Sequence, residues 1–294
     1  MIALVALLNL ALAVLVGATL AGSWLSGQSS GWAGAAAGQA RVTARRAAAL
    51  TLLASVLVLW FQVAVMTELP LLAAAPAVVA VLSGSHYGLC WLAGCIALVL
   101  ILALQASGRR AVGPAIAGAL VVFAVSRSLV SHAVMDGDLS LSVAMESLHL
   151  LLISAWIGMV LLAGWVVLAR PAGHAPADLD SCRRYAATLS RAASLALAGI
   201  LLTGGFNAWR AMSDIGQLVT TNWGLNLTAK LVLVALAVVL GAINRWRLVP
   251  ALMRGPDSDQ ACRRFVLNLR LEGVVLMLAL IAAALLSAGS PPGD

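Results

Sequence analysis

Ile2-ALVALLNLALAVLVGATLA-Gly22 is a mostly apolar run, with Asn9 and Thr19 as its polar side chains and without a single charged residue. At about 1.5 Å per residue, its roughly 20 residues make a helix about 30 Å long, the thickness of a bilayer's hydrocarbon. A secretory leader would open on a basic segment and carry a shorter apolar core, about 7–15 residues. Here no Lys or Arg precedes Arg41, so the run is expected to be a first membrane span.

Seven more runs of this kind follow: Ala47–Met66, Tyr87–Ala106, Val112–Ser131, Ser147–Leu168, Ala192–Met212, Trp223–Ile243 and Val266–Leu286. The expected fold is therefore all-α, a single integral-membrane domain over 1–294 with eight transmembrane helices. The apolar stretch Leu69–Leu82 contains Pro70 and Pro76 and is too short to cross. It is expected to be a non-spanning helix at the membrane edge. Composition agrees: 62% of the 294 residues are apolar and 10% charged, with a mean hydropathy of +1.02. A water-facing surface needs about 25% charged residues, so lipid must be the solvent.

The net charge of +7 does not indicate a nucleic-acid partner, because the basic residues form no polar face. They fill alternate gaps between the runs. The gaps after the first, third, fifth and seventh runs, with the adjoining start of the eighth run, hold Arg41, Arg45 and Arg46; Arg109 and Arg110; Arg170, Arg183, Arg184 and Arg191; and Arg245, Arg247, Arg254, Arg263, Arg264 and, inside the eighth run, Arg270. The other face has Arg127 and Arg210, at span ends. Fifteen against two places the rich gaps in the cytoplasm and both termini outside it. Cys182 and Cys262 then lie in reducing, basic loops. With Cys90 and Cys95 they form no CxxC pair and no disulfide framework, and read as ordinary buried or loop thiols.

The halves echo each other. Ser85-His86-Tyr87-Gly88-Leu89 opens the third run and Thr221-Asn222-Trp223-Gly224-Leu225 the seventh, while Gly17 with Trp24 resembles Gly158 with Trp165. Four spans per half predict a parallel 4+4 repeat, with halves 1–131 and 132–294.

Polar residues collect at one level. Glu68, His86, Arg127, His132, Asp136, Asp138, Glu146, His149, Asn207, Arg210 and Asp214 all fall at the expected outer ends, with Met66, Met135, Met145 and Met212 beside them. His174, in a Pro- and Gly-containing loop on the other side, reads as an exposed loop residue. Met145 and His149 are spaced i, i+4 and share a helix face, Glu146 adjoins it, and Trp156 continues it inward. The hairpin between the fourth and fifth runs allows His132 to approach His149. Any one histidine at a membrane edge is equally well explained as a capping or hydrogen-bonding group, and methionine is a common core filler. Three histidines at one depth, with thioethers beside them, point to a metal site, and that donor set suits copper, as Cu(I) or Cu(II). Candidate ligands are His132, His149, His86, Met135, Met145 and Glu146. Lys230, about two turns inside the seventh span, needs a partner such as Glu146 or Asp214, or must reach the headgroups. Glu272 lies deeper, as an exit-side ligand, a proton carrier or an interfacial group. No Walker loop, GxGxxG or HExxH is present, so no enzyme is expected.

These residues resemble a known family. His132-Ala133, Asp136-Gly137, Leu148-His149-Leu150 and Trp156-Ile157-Gly158 are followed by Gly205-Phe206-Asn207-Ala208-Trp209, Thr221-Asn222-Trp223-Gly224-Leu225, Lys230-Leu231, Asn244-Arg245 and Pro250. Their order and spacing are similar to the copper resistance protein D family (CopD, PcoD). The resemblance implies a multi-pass protein of the bacterial inner membrane that handles periplasmic copper, alongside a separate CopC-like carrier. It carries over to His132, His149, Trp156, Asn207 and Lys230. His86 falls where the family has a Thr-x-x-Gly pattern, here Ser85-His86-Tyr87-Gly88. Three readings stand at this point: import of copper from periplasm to cytoplasm; a haem-binding membrane electron carrier with paired histidine ligands; and a non-transporting membrane partner of a periplasmic copper carrier.

Overall fold

A computed structural model of the chain describes residues 1–108, 112–169, 175–211, 221–254 and 258–286. Every regular element among them is helical. The order is α1 (Ile2–Ser26), α2 (Gly31–Thr67), α3 (Ala75–Gly84), α4 (His86–Ala106), α5 (Gly113–Ser128), α6 (Leu141–Leu162), α7 (Pro176–Ala211), α8 (Asn222–Ile243), α9 (Val249–Arg254) and α10 (Ser258–Leu286). A 3₁₀ turn covers His132–Asp136, and π-turns extend α6 over Ala163–Val167 and α8 over Asn244–Leu248.

Seven of these helices are long and apolar enough to cross a membrane. The eighth expected span is α5, whose 16 residues make a rod of about 24 Å. It stops at Ser128, and His132 opens the 3₁₀ turn instead of closing the span. The non-spanning segment is helical over Ala75–Gly84, with a proline in its first turn and no buried residue.

The helices overrun the hydropathy limits because a helix does not end where the lipid does. α2 runs for 37 residues and α7 for 36, and what were expected to be loops around Arg41–Arg46 and Cys182 are helical. Cys262 likewise lies inside α10. These extensions pack together at the arginine-rich end of the bundle. Trp32 N–H donates to Asp178 Oδ1 at 2.9 Å, and Trp24 and Trp32 both stack against Tyr185, which is wholly buried. Cys182 and Cys262 meet there as hydrogen-bonded thiols.

At the centre α1 crosses α6 at Gly17 and Gly158. A Cβ on either glycine would overlap the other helix's backbone, so hydrogen-only side chains are what let these two helices touch. The cap signals of the two echoed pentapeptides are the same: Ser85 Oγ accepts from Gly88 N–H at 3.0 Å, and Thr221 Oγ1 from Gly224 N–H at 2.9 Å.

Candidate functional site

α6 and α7 bring their polar residues together at the end opposite the arginines. His149 Nδ1 is 2.9 Å from Thr203 Oγ1, and that hydroxyl spends its proton on the Gly199 carbonyl at 2.7 Å. With its proton on the Gly199 carbonyl, Thr203 offers the ring a lone pair, an arrangement that calls for the Nδ1–H tautomer and leaves Nε2 its lone pair. Gly204 makes room for the ring: a Cβ there would be 2.8 Å from His149 Cε1. The hydrogen bond fixes the orientation of the ring.

Glu146 is nearly one turn away on α6. Its Oε2 accepts from Asn207 Nδ2 at 3.1 Å, and its charge acts on both Arg127 and Lys230. Lys230 in turn acts on His149. Arg127 on α5 and Lys230 on α8 thus lie within electrostatic range of one carboxylate, which shares α6 with the imidazole. Arg127 also lies over the Trp91 ring, 5.1 Å from its centroid, so the ring face offsets part of its desolvation.

His86 has a different partner. Its Nε2 is 2.9 Å from Asp138 Oδ2, and Cys90 Sγ lies 3.7 Å from the same nitrogen. The hairpin before α6 is fixed by Asp136, which accepts from Ser142 Oγ at 2.5 Å and pairs with Arg210. Met135 is 76% exposed on the 3₁₀ turn, and Met145 is half-buried on α6. The side chain of His132, and residues Met212, Asp214 and His174, lie outside the described residues. Among the described residues, no three His, Cys, Asp or Glu side chains converge into a group that could hold a metal ion. The donors brought together are therefore one preset imidazole nitrogen and a carboxylate already engaged by cations, with Met145 on the same face of α6.

Two turns inward from His149, Trp156 is 4% exposed, and its indole N–H donates to Glu272 Oε1 at 3.2 Å. Asn244 Nδ2 donates to Glu272 Oε2 at 2.8 Å. Thr203, Gly204 and Cys90 were not singled out as site residues, and Asn244 was named only within the family motif Asn244-Arg245. The signal for Thr203 and Gly204 was present as a polar-glycine break, Thr203-Gly204-Gly205, inside an otherwise apolar span.

Comparison with known proteins covers most of the chain. Residues 1–141 match the family described as "Copper resistance protein D-like, N-terminal domain", and residues 182–286 match "Copper resistance protein D". The inner membrane protein YebZ of Escherichia coli (strain K12) is 33% identical over 96 residues, which is 33% of this chain and 32% of that protein. The match thus spans about a third of the curated relative's length. No solved structure matches the chain.

Proposed function

The chain belongs to the copper resistance protein D family, and from that premise we propose that it is a multi-pass protein of the bacterial inner membrane that imports copper from periplasm to cytoplasm. The observation that carries this reading is the His149 ring, whose Nδ1–H is committed to Thr203 so that Nε2 is held ready for a metal ion. Copper is the substrate, captured at His149 with His132, Met145 and Met135, and with His86 receiving it at the hairpin. Glu146 balances Arg127 and Lys230, so that an arriving cation meets less repulsion. Trp156, Asn207 and Lys230 hold this arrangement without acting as ligands. A soft thioether–imidazole set favours Cu(I) over harder ions.

The proposed topology has eight spans, with α5 as the short one and both termini periplasmic. The arginine bias supports that orientation, and the histidine end then faces the periplasm. The proposed 4+4 repeat has its axis between α1 and α6, because the equivalent glycines Gly17 and Gly158 meet each other there. Packing supports it: α1 against α2 is matched by α6 against α7, α4–α5 by α8–α10, and α5–α6 by α1–α10. A CopC-like carrier would deliver copper at the histidine end. No step here is catalytic.

Copper accumulation in cells expressing the protein tests the site. His149→Ala and His132→Ala are each expected to reduce accumulation to the level of cells lacking the protein. Normal accumulation in both variants would sink the assignment.

A further inference from the structure

Glu272 is 2% exposed, well inside the apolar run Val266–Leu286, and its surroundings are built for it. Gly241 leaves the space, since a Cβ there would be 3.3 Å from Oε1. Trp156 Nε1–H and Asn244 Nδ2–H reach one carboxyl oxygen each, at 3.2 and 2.8 Å. Asn244 is itself 5% exposed, and its Oδ1, the other end of the same amide, has no hydrogen-bond partner. An orphaned amide oxygen beside a buried carboxyl group needs an explanation.

No ion pair among the described residues reaches Glu272. On its own helix Arg270 is turned away, its Nε donating to the Gly164 carbonyl at 2.9 Å. On the π-turn that carries Asn244, Arg245 and Arg247 are exposed, and Arg245 reaches Ser190. α1 carries no titratable side chain. On α6 the titratable groups are Glu146 and His149, and His149 is about 10 Å along the axis from Trp156. The carboxyl group thus faces N–H dipoles and an amide, with no fixed cation.

An amide can answer both forms of a carboxyl group. In one orientation Asn244 donates N–H to a carboxylate oxygen. Rotated by half a turn, the same side chain presents Oδ1 at the same place and accepts the O–H of the carboxylic acid. Either way one end of the amide is satisfied by Glu272 and the other is not, so the pair does not lock the group into one state. Trp156 N–H donates to the remaining oxygen in both. Carboxyl and amide oxygens and an indole N–H do not suit a soft copper ion; they suit a proton.

We propose that Glu272 is a proton-binding site inside the bundle, with Asn244 as its reversible partner and Trp156 as its fixed donor. Protonation adds H⁺ to one carboxylate oxygen while the Asn244 amide turns; release reverses both. Its place, inward of His149 on the same face of α6, suits a proton exchanged against a passing cation. That exchange rests on the transport reading, whereas the proton site itself does not.

pH-difference infrared spectroscopy of the full-length protein in lipid tests it. The expected result is a carboxylic-acid C=O band that grows as pH falls and is missing from Glu272→Gln. Trp156→Phe removes a donor that favours the carboxylate, and should move the band's midpoint to higher pH while leaving its amplitude. This second variant keeps the test decisive if Glu272→Gln does not fold. A wild-type spectrum without such a band, a band unchanged in Glu272→Gln, or a midpoint unmoved in Trp156→Phe would overturn the proposal. Copper flux through the wild-type protein separates the two ideas: no flux with an intact band counts against the transport reading alone.

Discussion

His149 illustrates how a single hydroxyl orients a ring proposed as a ligand. Thr203 gives its proton to the Gly199 carbonyl and so offers the ring a lone pair. Thr203→Val keeps the shape and removes the acceptor, leaving the imidazole free to change tautomer. Loss of such an outer partner typically costs about 10–100-fold in metal affinity, so copper binding by Thr203→Val should weaken by about that factor, measured by titration against a competing chelator. An unchanged affinity would separate Thr203 from the site. Glu146 makes a different demand. Its carboxylate accepts from Asn207 and its charge acts on Arg127 and Lys230, and Glu146→Gln removes that charge. A hydrogen bond to a charged group contributes about 1.5–3 kcal/mol, so loss of the charge facing Asn207 Nδ2–H should make the variant unfold at lower denaturant than the parent.

The helices were legible in the sequence as far as the lipid shapes them. Apolar length sufficed for seven spanning helices, and proline marked the non-spanning Ala75–Gly84. What hydropathy missed was the continuation of α2 and α7 past the bilayer. There alanines face the core, as at Ala33, Ala36, Ala37 and Ala40, while Arg41 and Arg45 face water. A window that averages the two faces sees only a loop. The echoed glycines were visible too, but not that Gly17 and Gly158 touch. Their contact gives a prediction at this scale. Gly158→Ala drives a Cβ into the backbone of α1 and should cost about 3 kcal/mol, the upper range for overpacking. Gly34→Ala, on an open face of α2 with nothing within 4 Å, should instead gain about 0.5–1 kcal/mol. Thermal unfolding in one detergent compares the pair, and equal losses in both variants would contradict the crossing described here.

For the molecule as a whole, charge and polarity divide the two ends. That division was readable from Arg and Lys positions alone, because orientation depends on loop charge more than on packing. The site was only half readable. His149, Glu146, Asn207 and Lys230 were named from type and depth, and they come together from α6, α7 and α8. The partnership of His86 with Asp138 and Cys90 depends on how the hairpin folds back, and no spacing rule gives it. Trp156, Glu272 and Asn244 meet from three helices distant in sequence, which likewise no local pattern reveals. Orientation itself can be checked with a membrane-impermeant thiol reagent. Leu139→Cys, on the exposed hairpin, should be labelled from the periplasmic side, and Arg184→Cys should not; the reverse pattern would invert the topology. The central claim is tested most directly by loading of copper into sealed liposomes that contain the purified protein. Wild type should fill them faster than protein-free liposomes, and His149→Ala should not. Wild-type loading no faster than the empty control, or equal loading by His149→Ala, would contradict the account.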